Sequence, residues 1–346
     1  MEDKRKELDD ILRDITSGLT GDSEHDGAYL IRQIEEYKEH ELAKEIIRAC
    51  GRLLYEVMPD ETRGKFDQAI AKDHLGTEAT LDEVRFNMYK GDYEKALTII
   101  ENLVKKIEVL GAYKNDLESE YYYFDEMFEM VLYAYRNKPK RNLRWPDTNY
   151  SGIYLLYGTI LVELRRLEEA KSALQKAMRW NPVSRQILFE YAEIFKMTGD
   201  MEEFYRLTLD AFRISFHSLE VARCYRNMGF YFVEKELYDA ASACYHMSTV
   251  FEPDSKQAMS ELYYISMKTN KEVAVPAPGE MERYSDEYGI PLGADEDVIG
   301  LSYAHGKQLY DSEKYDHAAY FWSITYELTD DPEIREMLSD IEKRMN

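Results

Sequence analysis

The sequence predicts an all-α solenoid of helical hairpins with a capping helix at its C-terminal end. Three observations predict it. The segment from Ser151 to Ser184 reads as two helices joined by a short turn, with large and small apolar residues at helical spacing. The same layout returns downstream at a period of about 34 residues, the mark of stacked supersecondary units. The composition is 45% hydrophobic and 32% charged with only 9 Pro and 17 Gly, enough to bury a core and poor in helix breakers.

Taken in chain order, residues 1–75 read as an N-terminal helical region, a degenerate repeat or a small bundle. His40 to Cys50, with Ala43 and Ile47, is a faint copy of the unit, and Pro59 suits the first turn of a helix beginning near Asp60. Residues 76–346 are expected to form the superhelix, with insertions at about 137–149 and 273–297. Gly91 to Leu97 (GDYEKAL) carries a turn and the start of a second helix. Asp116 to Arg136 reads as one long aromatic-rich helix with no second helix after it, and Asn137 to Asn149, with Pro139 and Pro146, as a loop. The Ser151 unit places Tyr154, Tyr157, Gly158 and Leu161 on its first helix. Leu167, Ala170, Leu174 and Ala177 follow on the second, and Pro182 ends it.

The Arg185 unit offers Leu188, Tyr191, Ala192 and Phe195, a Gly199-Asp200 turn, and Ala211. Phe204 stands where a small residue is expected, which predicts looser packing. A third unit near Ala222 reads Tyr225, Met228, Gly229 and Phe232, then Tyr238, Ala241, Tyr245, Ser248 and Pro253. A fourth opens at Lys256 with Leu262 and Tyr263 and loses its pattern at Lys271. Val273 to Asp297, with Pro276, Pro278 and Pro291, reads as an insertion holding a short helix around Met281 to Tyr288. Ile299 to Pro332 is the last unit, with Gly306, Leu309, Tyr315, Ala318 and Trp322. Glu333 to Asn346 reads as a solvating helix that closes the stack.

These residues resemble the tetratricopeptide repeat (TPR) family. Its first helix carries a large apolar residue and then a small one, its second an aromatic before Ala, and Pro ends the unit. The Ser151, Ala222 and Ile299 units match well, the Arg185 unit in part, and those before residue 111 weakly, about two thirds of the chain in all. The resemblance implies a right-handed superhelix with degenerate N-terminal helices. Small residues let the paired helices approach while aromatic knobs fill the space between units. Fold alone says little about function.

Acidic residues outnumber basic ones by 67 to 44, a formal charge of −23. Such a field repels nucleic acid and anionic lipid, so neither is an expected partner. Three unpatterned cysteines, Cys50, Cys224 and Cys244, fit a reducing compartment. Met1 to Asp14 shows no apolar leader. The longest uncharged run, Thr148 to Val162, falls short of the ~20 residues that span a bilayer. The expectation is a cytoplasmic protein.

Nothing carries the spacing of a catalytic site: GxxxxGK[ST], GxGxxG and HExxH are all absent. The seven histidines, His25, His40, His74, His217, His246, His305 and His317, are scattered, so neither metal nor other cofactor is expected. Cys224 and Cys244 fall on the two helices of one repeat and read as small buried hydrophobes.

In the resembled family the inner wall is lined by first-helix residues that do not pack between helices. Those positions are Gln186, Phe189, Glu193 and Lys196 on the Arg185 unit, and Arg223, Arg226 and Phe230 on the Ala222 unit. Tyr264 and Lys268, then Tyr303, Lys307 and Tyr310, follow. Cations and aromatics on the wall of an acidic protein suit an extended peptide with acidic and apolar side chains. The same positions also fit arginines that simply pair with Glu on the next helix. The Lys/Asn carboxylate clamp of some family members is not met, because Leu155, Thr159, Phe189 and Glu193 occupy the inner positions before Arg226 and Asn227.

The run Lys138, Lys140, Arg141, Arg144, Trp145 forms a secondary basic loop. It either grips an acidic group or phosphate, or lies across the chain's own acidic surface with Trp145 as anchor. The implied function is a non-enzymatic protein- or peptide-binding scaffold. A bacterial signalling regulator with a peptide-sensing repeat domain comes second, although residues 1–75 hold no DNA-reading helix. A metal-dependent hydrolase or accessory enzyme comes last.

Overall fold

The computed structural model describes residues 2–110 and 115–345, and their side chains except at 2, 3, 64–75, 110 and 278; the His74 side chain therefore lies outside the described residues. Among the described residues the chain is all-α apart from one two-stranded ribbon. In order, its elements are α1 (Glu2–Ser17), α2 (Ser23–Glu36), α3 (Ala43–Val57), α4 (Asp60–Tyr89), α5 (Tyr93–Leu110), β1 (Ser119–Tyr121), α6 (Met127–Asn137), β2 (Asn142–Arg144), α7 (Tyr150–Glu163) and α8 (Leu167–Trp180). There follow α9 (Arg185–Thr198), α10 (Met201–Phe212), α11 (Ser218–Glu234), α12 (Tyr238–Phe251), α13 (Lys256–Thr269), α14 (Pro278–Tyr288), α15 (Glu296–Asp311), α16 (Tyr315–Thr329) and α17 (Pro332–Met345). Among the described residues no helix is long and apolar enough to cross a membrane.

The boundaries follow local chemistry. Asp22, Asn149, Asp200, Ser255 and Asp295 each accept a backbone N–H two or three residues into the helix they begin, satisfying a donor that has no partner within the helix. Gly91 and Gly199 close α4 and α9 at φ of 75° and 79°, where a side chain would be strained. Helix α4 runs unbroken through residues 75 and 76.

The chain divides into two compact units. The first comprises residues 1–123 and 139–164, the second 124–138 and 165–346. In the first, Leu8, Ile15, Leu30, Leu42, Ile46 and Cys50 form a buried core beneath α1–α3. Helices α4 and α5 pair, and α7 packs on α5.

The expected long helix from Asp116 to Arg136 is corrected. The Asp116 carboxylate accepts the amides of Glu118 and Ser119 at 2.9 and 2.8 Å, a turn that competes with helix. Residues 119–121 then pair in parallel with 142–144, so the expected loop also contains a strand. Helix begins only at Met127, where Glu126 and Glu129 form a reciprocal capping box.

In the second unit, α9–α10, α11–α12 and α15–α16 form successive hairpins. Gly229 lies on the Tyr245 ring and Gly306 on the Trp322 indole, so the small residue of one helix receives the aromatic of the other. Phe204 stands in the small position of the α9–α10 hairpin, and its side chain is wholly buried in a cluster with Ala192 and Leu207. Helix α13 packs on α12 and has no second helix of its own. The insertion after it is ordered: α14 packs on α12, Ile290 is buried, and the Tyr225 hydroxyl bonds both the carbonyl and the amide of Gly293 at 2.7 and 2.9 Å. Helix α17 covers α16 with Ile334 and Ile341, which bury against Ala318 and Trp322. The fold is thus a TPR-like array of helical hairpins.

Candidate partner-binding surfaces

The first helices of two consecutive hairpins, α9 and α11, build one wall of the second unit. Arg223 lies over the Phe189 ring, its guanidinium carbon 4.3 Å from the centroid. One step along the wall the roles reverse, and Lys196 of α9 sits 4.2 Å from the centroid of Phe230 on α11. Phe230 in turn packs edge-on against the buried Phe204. Within each helix the two positions are seven residues apart, so the cations stand about 10 Å apart along the helix axis. Neither Arg223 nor Lys196 pairs with a carboxylate among the described residues, in a chain with a 23-charge acidic excess. Rings hold both cations in place and leave their hydrogen-bond donors unspent.

Arg226 differs. It is mostly buried, bonds Ser248 at 3.2 Å and pairs with Glu252 of α12, the ordinary neighbour-helix arrangement. Tyr264 and Lys268 project from α13, exposed. Beside them Met259, Tyr263 and Met267 leave an apolar stripe on the helix that lacks its second helix. Tyr303 and Lys307 line a separate cleft of about 550 Å³ between α15 and α17, floored by Trp322. The wall residues therefore form three places: the α9–α11 wall, the α13 face and the α15–α17 cleft.

A buried charge cluster escaped sequence reasoning. Helix α6 enters the second unit with Phe128 and Leu132 wholly buried, Phe128 lying 4.8 Å from Phe216 and 6.1 Å from Phe321 between ring centroids. Its two capping carboxylates meet Arg185, which is only 4% exposed: Glu129 at 2.5 Å and Glu126 at 3.0 Å, with Glu220 at 2.9 Å. The guanidinium also stands 3.9 Å from the Phe216 centroid. His217 bridges Glu126 and Glu327, each at 3.2 Å, and these two hydrogen bonds push its pKa up to about 10. Burial works to raise Glu126, yet His217 and Arg185 win and hold it at about 2. At Glu129 burial prevails over Arg185 and lifts the carboxyl to about 7. The available signal was E-M-F-E at 126–129, two carboxylates flanking a phenylalanine.

His305 stacks on Phe321 with ring centroids 5.6 Å apart. Cys224 and Cys244 are free and fully buried, and burial raises both thiols. Among the described residues no group of three or more His, Cys, Asp or Glu could hold a metal.

The basic loop belongs to the first unit except for Lys138, which caps α6 in a left-handed conformation. Lys140 is exposed, Arg141 lies 3.7 Å from Glu120, and Arg144 donates from Nε to the Ser119 hydroxyl at 2.9 Å. Arg144 and Trp145 share a cleft of about 490 Å³ with Arg48, Arg52, Tyr121 and Leu143.

These hairpins, with their small-on-aromatic contacts and terminal capping helix, make the chain a TPR-like protein. Similar solved structures include PilF of Pseudomonas aeruginosa, 15% identical, covering 57% of this chain and 90% of that one at a TM-score of 0.32. A thermophilic TPR protein of Thermus thermophilus is 16% identical, with 55% and 98% covered and a TM-score of 0.32. A tetratricopeptide repeat protein of Parabacteroides merdae is 12% identical, with 78% and 98% covered and a TM-score of 0.29. No protein-family model matches the chain, and no curated protein matches it.

Proposed function

We propose that the protein is a non-enzymatic scaffold that holds an extended acidic segment of a partner protein along the α9–α11 wall. One observation carries this reading: Arg223 and Lys196 are positioned by Phe189 and Phe230 yet pair with no carboxylate among the described residues. A protein this acidic has ample carboxylate to neutralise two cations, so leaving them open suits an external acid. Charge-assisted hydrogen bonds to a carboxylate are about twice as strong as neutral ones. A spacing of about 10 Å matches carboxylates three residues apart on a polyproline II segment, whose three residues per turn at roughly 3.1 Å each return both side chains to one face. Half-buried Phe230 supplies apolar contact between the charges, while Phe189, expected on the wall, is buried in the core and supports Arg223 from beneath. Arg226, neutralised by Glu252, stabilises the wall and contacts no partner.

The test uses the full chain and fluorescent ten-residue peptides that carry Glu every third residue among Leu and Ser, with a Lys-bearing counterpart. The acidic peptide binds and the basic one does not. Arg223→Glu and Lys196→Glu each weaken binding at least about tenfold, or 1.4 kcal/mol. Equal binding of both peptides, or affinity unmoved by both reversals, overturns the proposal.

A further inference from the structure

We propose that the cleft beside β2 in the first unit is an anion site for a phosphate ester that carries a planar aromatic group. Three arginines from two parts of the chain line it: Arg48 and Arg52 from α3, one turn apart, and Arg144 from the end of β2. Their internal partners leave charge over. Asp116 accepts from Arg48 at 2.9 Å and Glu118 from Arg52 at 3.2 Å. Arg144 meets only the Ser119 hydroxyl and no carboxylate among the described residues, so its charge stands uncompensated. The terminal nitrogens of Arg144, and two of the three guanidinium nitrogens of Arg52, make no hydrogen bond among the described residues.

The chemistry of those donors selects the ligand. A guanidinium presents a planar fork that matches phosphate oxygens two at a time. A carboxylate ligand would offer one charge and meet competition from Asp116 and Glu118, which already bond Arg48 and Arg52. A phosphate dianion offers two charges and three acceptor oxygens, and outcompetes them. Besides Leu143, the other lining groups are aromatic: Tyr121, with Arg48 5.6 Å from its centroid, and Trp145, which is 45% exposed. An indole face at the rim stacks on a planar group attached to the phosphate. The short ribbon positions both halves, because register Tyr121↔Arg144 puts the ring and the cation side by side.

This site is independent of the α9–α11 wall, so each can fail alone. Calorimetric titration of the full chain with phenyl phosphate, phosphotyrosine, AMP and inorganic phosphate tests it. Phenyl phosphate saturates one site and binds at least about tenfold tighter than inorganic phosphate. Arg52→Gln and Arg144→Lys each weaken it about tenfold, the second by removing the fork while keeping the charge. Trp145→Ala erases the preference for the aryl ester. Tighter binding of AMP identifies a nucleotide as the source, and tighter phosphotyrosine a modified protein. Circular-dichroism melting shows whether each variant is folded, and Arg52→Gln leaves the ribbon's own bonds intact. Absence of saturable binding by every ester, or affinity unchanged in folded Arg52→Gln and Arg144→Lys, overturns the proposal.

Discussion

At the scale of single residues, two glycines show how close approach outweighs backbone preference. A methyl on Gly306 would stand 2.3 Å from the Trp322 ring, and one on Gly229 2.8 Å from Tyr245. Both rings are buried and cannot retreat. Alanine favours helix over glycine by roughly 0.5–1 kcal/mol, while overpacking a core costs about 1–3 kcal/mol. Overpacking wins, so Gly306→Ala lowers unfolding stability by about 1–2 kcal/mol. Gly300 lies on the same helix with nothing within 4 Å, and Gly300→Ala raises stability by up to ~1 kcal/mol. Chemical denaturation of the pair checks this, and changes of the same sign in both would refute it. These positions were legible in the sequence because a small residue and its aromatic recur at a fixed offset. Arg185 was not: its carboxylate partners Glu129 and Glu220 lie 56 and 35 residues away, beyond any local pattern.

At the scale of elements, helix α6 explains both an error of sequence reading and a dependence on pH. Its aromatic run suggested a helix from Asp116 where the helix starts at Met127, because the Asp116 turn and the ribbon depend on β2, further along the chain. Its acidic first turn is held by Arg185 and His217. The His217 pKa rises from 6.5 to about 10, so its stabilising contribution is complete below about 6.5 and is lost as pH climbs through 10. Glu126, lowered from 4.5 to about 2, contributes above 4.5 and loses that contribution as pH falls toward 2. The anchorage of α6 is therefore strongest in mildly acidic solution. Thermal melting between pH 6 and 10 should show a declining Tm that His217→Gln flattens; parallel curves for the two proteins would exclude His217 as the cause.

At the scale of the whole molecule, the excess of 23 negative charges dominates. Self-repulsion disfavours the compact state and is screened as the Debye length shrinks from ~30 Å at about 0.01 M salt to ~8 Å at about 0.15 M. The Tm of the full chain accordingly rises by several degrees over that range, measured by calorimetry; a falling Tm would show that surface ion pairs matter more. The hairpin array was legible in the sequence, since repetition is visible without tertiary knowledge. The division into units was not, because the chain leaves the first unit at residue 123 to place α6 and re-enters it at 139. That excursion has a consequence for biosynthesis. Phe128 hydrogen-bonds through its amide to Tyr320, 192 residues later. At ribosomal rates of roughly 5–20 residues per second, α6 waits some 10–40 seconds for its final partners to be made. During that interval Phe128 can meet Phe216 but still lacks Phe321 and Tyr320, so part of its apolar surface stays open on the nascent chain for a chaperone to cover.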